Sequence, residues 1–391
     1  MTETIREAPV YCKMIYFVKA VARPLFFSLF FFGNSLFADM PPIASITAEE
    51  HCAMHPEDLQ LHRKIKPFPF IPNPVTNEVP KPWPDARVLT LPQGRCYGVY
   101  GIVFTQDNLL LADASYEFGP SSLPHSILSK RSLTSSQYYD ADVAEIGALS
   151  CDNYYHWMID VLPRIGLIEE AGLTPDFYHT TFPESSFRLE TLSHLGIDLD
   201  KIIPAEKNLH IQAKTLIVPT IVSMPNCLHK DDHMLLCAPL SNIEFLRRKF
   251  LLEEPKVTNK RLYISRKLAD KRRVLNEDKL MKMLQSYGFE FILLENLSVI
   301  EQVNLFASAE IIIGPHGAGL TNTVFCRPGT KIIELSPLKL WHWSFCFWAI
   351  SQQLNLDHTY LRCKGNKANF HDMVVNIQDL ETELKRYLSP Q

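Results

Sequence analysis

The residues with the clearest chemical potential form a glycine-rich turn within residues 310–320, between an apolar run and a predicted helix. Gly317 and Gly319 flank Ala318, and glycine lets the main chain approach a ligand closely. A helix N-terminus exposes unpaired N–H groups and a positive dipole end, which stabilise phosphate. His316 adds a side-chain donor. The pattern predicts a phosphate-binding loop, although a strand, turn and helix packed without a ligand would share it.

The spacing of the turn excludes two common nucleotide motifs. No lysine followed by serine or threonine comes after the last glycine, so the turn is not the loop of an ATPase. It is also not a G-x-G-x-x-G fingerprint. A Rossmann-type enzyme that modifies sugar nucleotides would need that fingerprint in its first βα turn and an acidic residue about twenty positions later. The sequence has neither in that arrangement.

Charged residues flank the turn at the ends of two other apolar runs. Arg266 follows one predicted strand, and Arg272 and Arg273 lie in the short basic loop after it. Glu334 stands at the predicted carboxyl end of a later strand. Ligands of open α/β sheets gather at the carboxyl ends of the strands. We therefore expect Arg266 with Arg272 or Arg273 to clamp a diphosphate. We expect Glu334 to bind a ribose diol.

A second polar set lies on a predicted helix over residues 153–171. Four of its side chains project within about 80° of one another at 100° per residue. They are Asn153, His156, Asp160 and Arg164. This pattern fits an exposed face with an Asp160–Arg164 pair as well as a catalytic face. Pro163 lies inside the pattern and should kink the helix or remove one of its hydrogen bonds.

Three blocks of this sequence resemble glycosyltransferase family 61, which includes plant arabinoxylan transferases, animal O-linked N-acetylglucosaminyltransferases and bacterial capsular polysaccharide enzymes. The blocks are Asn153–Arg164, Ile264–Glu277 and Gly314–Leu335. The resemblance implies an α/β fold of the GT-B type, with two Rossmann-like domains facing a central cleft. It also implies a nucleotide-sugar donor, a glycan or glycoprotein acceptor, and inversion at the anomeric carbon.

The resemblance also implies roles for the candidate residues. His156 or Asp160 becomes the catalytic base that accepts the acceptor's hydroxyl proton, with Asn153 and Arg164 on the acceptor side. The residues expected to bind the nucleotide-sugar are Arg266, Arg272, Arg273, Asn276, Glu277, His316, Gly317, Ala318, Gly319 and Glu334. Such cations would stabilise the charge that develops on the departing diphosphate.

We predict no metal and no cofactor. The nine cysteines form no C-x-x-C pair and fit buried free thiols at least as well as disulfides. Asp140-Ala-Asp142 has the form of a metal-diphosphate signature of another glycosyltransferase fold. We assign it to a loop, because it does not follow an apolar strand and the arginines already supply positive charge.

Composition sets the remaining expectations. A chain of 391 residues with 46% hydrophobic content is long enough for two domains, and a net charge of −4 argues against a nucleic-acid partner. Residues 1–38 resemble a signal peptide, and residues 14–37 could instead serve as a membrane anchor. Residues 39–85 are proline-rich and predict a stem, followed by an acceptor-side domain (86–235) and a donor-binding domain (236–391).

This organisation predicts a secretory-pathway or membrane-associated enzyme, or a cytoplasmic one if the N-terminal segment is not a targeting signal. An inactive sugar- or protein-binding module on the same fold is the alternative from another functional class. Release of nucleotide from the donor without an acceptor would separate an enzyme from such a module.

Overall fold

The structure is a computed structural model that describes residues 40–71, 83–117, 125–181, 185–223, 238–251, 258–337, 345–366 and 372–388. The predicted signal or anchor segment and the predicted domain boundary at residue 235 lie outside these residues. None of the helices in the described part of the chain is long and apolar enough to cross a membrane. The fold is α/β, with two separate sheets.

Ten strands form the first sheet. They are β1 (Ala44–Ile46), β2 (Leu59–Arg63), β3 (Ala86–Pro92), β4 (Arg95–Tyr97), β5 (Ile102–Phe104), β6 (Leu109–Leu111), β7 (Gln137–Glu145), β8 (Phe177–Thr180), β9 (Ile202–Pro204) and β10 (His210–Pro219). Their order is β1-β6-β5-β4-β10-β7-β8-β9, and β3 joins β10 and β2 beside this path.

The first sheet is mixed rather than purely parallel. β7, β8, β9 and β10 pair in parallel, as the alternation of strands and helices predicted. β3, β4 and β5 pair antiparallel with their neighbours. Short turns join β3 to β6, and such turns can connect only antiparallel strands, whereas parallel strands need a crossover. This half is therefore only partly Rossmann-like.

Six strands form the second sheet. They are β11 (Lys260–Ile264), β12 (Phe289–Ile292), β13 (Ala309–Pro315), β14 (Lys331–Pro337), β15 (Asp357–Asn366) and β16 (Asp372–Val374). The order is β12-β11-β13-β14-β15-β16, and all pairs are parallel except β15 with β16. The chain thus reverses its direction of winding between β11 and β13, which is the topological switch point of a doubly wound sheet.

Helices cover both sheets. They are α1 (Ala48–Met54), α2 (Tyr154–His156), α3 (Leu162–Glu170), α4 (Ser186–His194), α5 (Leu240–Phe250), α6 (Glu277–Ser286), α7 (Val299–Ser308), α8 (Cys346–Gln353) and α9 (Ile377–Leu388). A 3₁₀ helix spans Ala318–Phe325. α6 and α9 cover one face of the second sheet, and α7 and α8 cover the other.

One hydrophobic core runs through both halves. Trp157 and Leu162 from the first half belong to the same buried cluster as Val303 and Phe325 from the second. The aromatic residues Phe345, Phe347 and Trp348 are buried. None of the six described cysteines forms a disulfide: Cys52, Cys96, Cys151, Cys326, Cys346 and Cys363. The division into domains stays a prediction.

Two local predictions were wrong. Part of the predicted stem is folded, because β1, α1 and β2 lie within residues 44–63 and both strands pair with the first sheet. Asp140 and Asp142 lie in strand β7 and not in a loop. Asp140 is exposed and 3.7 Å from Lys214, so in this strand it is a solvated surface charge. The strand pairs with β10 on one side and with β8 on the other. The polar residues before it gave no indication of a strand.

Candidate functional site

The predicted phosphate-binding loop lies at the switch point of the second sheet. β11 ends at Ile264 and leads to Arg266, and its neighbour β13 ends at Pro315 and leads to Gly317. Both loops leave the carboxyl edge of the sheet at the position where open α/β sheets bind their ligands. The sequence blocks 264–277 and 314–335 are therefore brought together as predicted.

Arg266 and Gly317 form the centre of this site. A Cβ atom on Gly317 would lie 2.1 Å from Nη1 of Arg266 and 2.8 Å from its Cζ, so only glycine fits beneath this guanidinium. The backbone of Gly317 is extended and imposes no requirement of its own. Nε and Nη2 of Arg266 donate to the carbonyl of Lys271 at 3.2 and 3.1 Å. The turn therefore holds an arginine flat against the start of the 3₁₀ helix.

The other glycines of the turn have packing roles. A Cβ on Gly319 would lie 2.7 Å from Cδ1 of Leu294, and one on Gly314 would lie 3.1 Å from Cβ of Ile264. These glycines let the turn pack on the neighbouring loop and strand. The contact of the Gly319 main chain with a ligand stays a prediction.

The two arginines of the basic loop that the sequence could not rank have different surroundings. Arg272 is half-buried, and burial lowers its pKa while the charges of Cys346 and Glu334 oppose that shift. Burial and the charge of Arg272 lower the pKa of Arg266 to about 10. Two like charges in partly buried surroundings repel each other, and an anion bound between them would relieve that repulsion. Arg272 rather than Arg273 therefore accompanies Arg266.

Three of the predicted donor-binding side chains are used within the protein. Arg273 donates from Nε and Nη2 to Asp372 at 3.1 and 2.8 Å. Asn276 exchanges two bonds with the backbone of Val375, at 2.8 and 2.9 Å. Oε1 of Glu277 accepts bonds of 2.9 Å from the hydroxyls of Tyr263 and Ser265. These bonds support the loop, and a contact of these residues with a ligand stays a prediction.

His316 is held by a buried carboxylate. Its Nδ1 lies 2.5 Å from Oε1 of Glu334, and His316 is only 5% exposed. Glu334 is fully buried in the middle of β14, and its second oxygen lies 3.2 Å from Nε2 of His358. Burial raises the pKa of Glu334, but the two histidines outweigh burial and hold it below its usual range. The carboxylate therefore orients His316, and the predicted ribose contact is not available to it.

A second histidine and carboxylate pair lies on the helix that begins at Tyr154. Nδ1 of His156 is 2.6 Å from Oδ2 of Asp160, and the hydroxyl of Ser223 donates to Oδ1 of the same carboxylate. The side chain of Asp160 is 2% exposed and that of His156 is 15% exposed. Only His156 can meet a substrate, and only through Nε2, because Asp160 is enclosed and already accepts both bonds.

The remaining residues of this helix do not form an exposed polar face. Arg164 is buried and donates to the backbone carbonyls of Pro219 and Gly147, so the predicted Asp160–Arg164 pair is wrong. Burial lowers the pKa of Arg164 to about 10 despite the nearby charge of Glu145. The helix is buried on all sides because the shared core encloses it. Asn153 caps the helix by accepting a bond of 2.9 Å from the N–H of Tyr155.

Pro163 perturbs this helix as predicted. Residues 157–161 form a π-helical turn in which the N–H of Leu162 bonds the carbonyl five residues before it. A proline at 163 has no N–H for the carbonyl of Ile159, and Nδ2 of Asn242 donates to that carbonyl at 3.0 Å. The π turn carries Asp160, and such turns are frequent at functional sites.

Aromatic contacts connect the two histidine pairs. Phe347 lies edge-on to Tyr155 with ring centroids 5.9 Å apart, and it contacts His316 at 5.2 Å. The ring of Tyr155 is 5.3 Å from that of His156. Next to these rings, the hydroxyl of Tyr154 donates to Asn322 at 2.7 Å and so joins the helix to the 3₁₀ helix. The helix that carries His156 and the predicted phosphate-binding loop are therefore packed together.

One buried group in the described part of the chain has metal-ligating side chains: Cys96, Glu145 and His179, from β4, β7 and β8. Nδ1 of His179 bonds the Glu145 carboxylate, which also accepts a bond of 2.6 Å from the N–H of Gly147. Burial raises the pKa of Glu145, but the charges and bonds of His179, with Arg164 and Cys96, lower it overall. The three side chains form a hydrogen-bonded cluster.

Three features of the site were not predicted from the sequence. They are the bond from Ser223 to Asp160, the contacts of Phe347 with Tyr155 and His316, and the position of His358 beside Glu334. No local pattern marks them, since each acts through a partner far away in the chain: Ser223 is 63 residues from Asp160. The only available signal was the recurrence of histidine in apolar strands. His358 lies in β15 and pairs with Ile332 of β14. Glu334 follows Ile332 by two residues in β14.

Comparison with known proteins relates the same region of the chain to one protein family. Residues 154–333 match the sequence profile of the family described as Glycosyltransferase 61. Among curated proteins, the chain is 30% identical to the xylan glycosyltransferase MUCI21 of Arabidopsis thaliana over 26% of this chain and 21% of the relative. It is 34% identical to the alpha-1,3-arabinosyltransferase XAT3 of Oryza sativa subsp. japonica over 22% of this chain and 15% of the relative.

A third relative is the beta-1,2-xylosyltransferase RCN11 of the same rice, which is 25% identical over 36% of this chain and 26% of the relative. The chain thus spans about a quarter or less of each of these relatives. The profile match contains the His156–Asp160 pair, His316 and the loop at the switch point, and it ends one residue before Glu334. Over residues 154–333 the chain is therefore similar to the glycosyltransferase 61 family.

Proposed function

We propose that the protein is an inverting glycosyltransferase that moves a sugar from a nucleotide-sugar to a hydroxyl of a glycan or glycoprotein. The observation that carries the proposal is the guanidinium of Arg266 held against Gly317 at the switch point, with Arg272 beside it. A diphosphate would bring the negative charge that two neighbouring arginines require. The transferase relatives support a sugar as the group attached to it.

In this proposal His156 is the catalytic base. Nε2 accepts the proton of the acceptor hydroxyl, whose oxygen then forms the bond to the anomeric carbon while the bond to the diphosphate breaks. Asp160 orients the ring through Nδ1 and stabilises the imidazolium that forms, and Ser223 holds Asp160. Direct attack by one acceptor inverts the anomeric configuration.

Arg266, Arg272 and His316 take the charge that develops on the departing diphosphate. These donors are fixed before the reaction by Lys271, Glu334 and the packing of the turn, so they need no reorganisation in the transition state. The cations make a metal unnecessary for charge compensation, so we propose a metal-independent reaction. The GT-B arrangement, with the acceptor bound beside His156, and a membrane or secretory location through residues 14–37 belong to the same proposal.

A nucleotide-sugar screen tests it. Thermal shift should find a nucleoside diphosphate that stabilises the protein, and the matching nucleotide-sugar should release nucleotide slowly without an acceptor. His156→Ala should keep the stabilisation and lose the release. A protein that binds the nucleotide-sugar but never releases nucleotide would be the inactive binding module. A protein that none of the nucleotides stabilises would contradict the donor site.

A further inference from the structure

A buried chain of polar groups extends behind His316 and away from the proposed donor. One carboxylate oxygen of Glu334 is hydrogen-bonded to Nδ1 of His316. The other lies near Nε2 of His358. Nδ1 of His358 lies 2.8 Å from the hydroxyl oxygen of Ser351, which lies 2.9 Å from the carbonyl of Phe347. His358 and Glu334 are both fully buried, so this chain is sealed from solvent.

The positions of these atoms determine where the protons lie. The Ser351 hydroxyl has one proton, and its short contact with the Phe347 carbonyl can be favourable only if that proton points there. The oxygen must then accept from an N–H at Nδ1 of His358. On the other side of the ring, Nε2 faces a carboxylate oxygen at 3.2 Å, off the line of a hydrogen bond. Without a proton, Nε2 would carry partial negative charge 3.2 Å from that oxygen, whereas a protonated ring is attracted to it.

We propose that His358 carries protons on both ring nitrogens and is a positioning residue that balances the charge of Glu334 behind the donor site. This inference rests on the proposed function. It adds an account of how the net charge of the donor site is set. Glu334 must be ionised to orient His316, but its charge also acts on Arg272 and opposes the binding of a diphosphate. An imidazolium at His358 cancels that charge, so the loop keeps its net attraction for an anion.

Among the described residues, the His358 ring contacts that of Tyr360, with centroids 5.0 Å apart, and its nitrogens lie near Ser351 and Glu334. Of these contacts, Glu334 is the one that carries a negative charge. Breaking a buried ion pair by removing one partner leaves the other charge uncompensated. The consequence of losing His358 should therefore be electrostatic and should depend on the charge of the ligand.

Titration calorimetry with uridine diphosphate and uridine tests this role. His358→Gln keeps the size and a donor near Nε2 but loses the charge, so it should weaken the diphosphate about tenfold and leave uridine unchanged. The double variant Glu334→Gln/His358→Gln removes both charges, so it should bind the diphosphate more tightly than His358→Gln alone. If the two substitutions instead weaken binding additively, His358 acts through packing and the proposal is overturned.

Selective ¹⁵N labelling of histidine provides a readout that needs no ligand. The His358 ring, assigned by its loss in His358→Gln, should show two protonated nitrogens at neutral pH. A ring with a single proton would overturn the inference even if uridine diphosphate binds. If the wild-type protein binds no nucleoside diphosphate while His358 carries both protons, the proposed function fails and the charge balance stands.

Discussion

Adding a single carbon atom at Gly317 should remove the proposed donor site without unfolding the protein. In Gly317→Ala the new Cβ would lie 2.1 Å from Nη1 and 2.8 Å from Cζ of Arg266, closer than such atoms ever approach. The backbone of Gly317 is extended, so alanine imposes no strain there. Arg266 is the end of a flexible side chain and will move, so the fold should survive while the guanidinium leaves its position.

The size of the effect follows from the contacts that Arg266 would lose. A charge-assisted hydrogen bond contributes about 1.5–3 kcal/mol. We expect Gly317→Ala to weaken a nucleoside diphosphate by about 10- to 150-fold, since each factor of ten corresponds to about 1.4 kcal/mol. Calorimetry should show this loss for the diphosphate and little change for the nucleoside. Thermal unfolding should confirm that the variant is folded.

A double-mutant cycle separates the contact with Arg266 from other effects at the turn. Arg266→Ala removes the group that the new Cβ would displace, so adding Gly317→Ala in that background should cost little more. If Gly317→Ala costs the same with and without Arg266, the glycine serves something other than the arginine. Unchanged affinity in a folded Gly317→Ala variant would refute the assignment of the loop.

Three further predictions concern the other parts of the site. His156→Ala and Asp160→Asn should each lower turnover by about 10² to 10⁴ and spare donor affinity, and near-normal rates in both would place the base elsewhere. Arg272→Ala should weaken the diphosphate, whereas Arg273→Ala should mainly lower thermal stability, and equal loss of binding in both would contradict their ranking. Transfer should survive a chelator, and restoration by manganese after chelation would show that the reaction needs a metal.

The stability of Arg273→Ala relative to the wild type should depend on pH, because Arg273 is bonded to Asp372. Burial raises the pKa of Asp372, but its bonds with Arg273 and the backbone outweigh burial and lower it. A lowered pKa in the folded state stabilises the fold above the unfolded value and loses that contribution as pH falls through the folded value. The stability lost in Arg273→Ala should therefore be largest at neutral pH and shrink in acid.

The sequence predicted the second sheet well because its elements are marked locally. The helix Glu277–Ser286 follows a polar opening and shows a clear apolar period, and the strands on either side are short apolar runs bounded by turns. The switch point followed from the alternation of these elements. The start of strand β7 has no local signal in the sequence, because its first half is polar and its pairing with β10 depends on residues about 70 positions away.

The roles of the polar residues were harder to predict, since a side chain at a strand end does not reveal which partner it will find. Asp372 lies 99 residues from Arg273 and Val375 lies 99 residues from Asn276, so no local pattern shows that these groups are occupied. Arg272 and Arg273 are neighbours in sequence, and their side chains point in different directions. Arg272 adopts a positive φ of 60°, which sends the two side chains to different surroundings.

The two histidine and carboxylate pairs differ in a way that their positions explain. Asp160 is shared with a neutral hydroxyl, so its full charge remains available to stabilise an imidazolium at His156 when that ring accepts a proton. Glu334 is shared with a second histidine, so less of its charge reaches His316 and the arginines beside it. A base benefits from an uncompensated carboxylate, whereas a site for a dianion is weakened by one. The same pairing of residues can therefore serve proton transfer on one side of Phe347 and anion binding on the other.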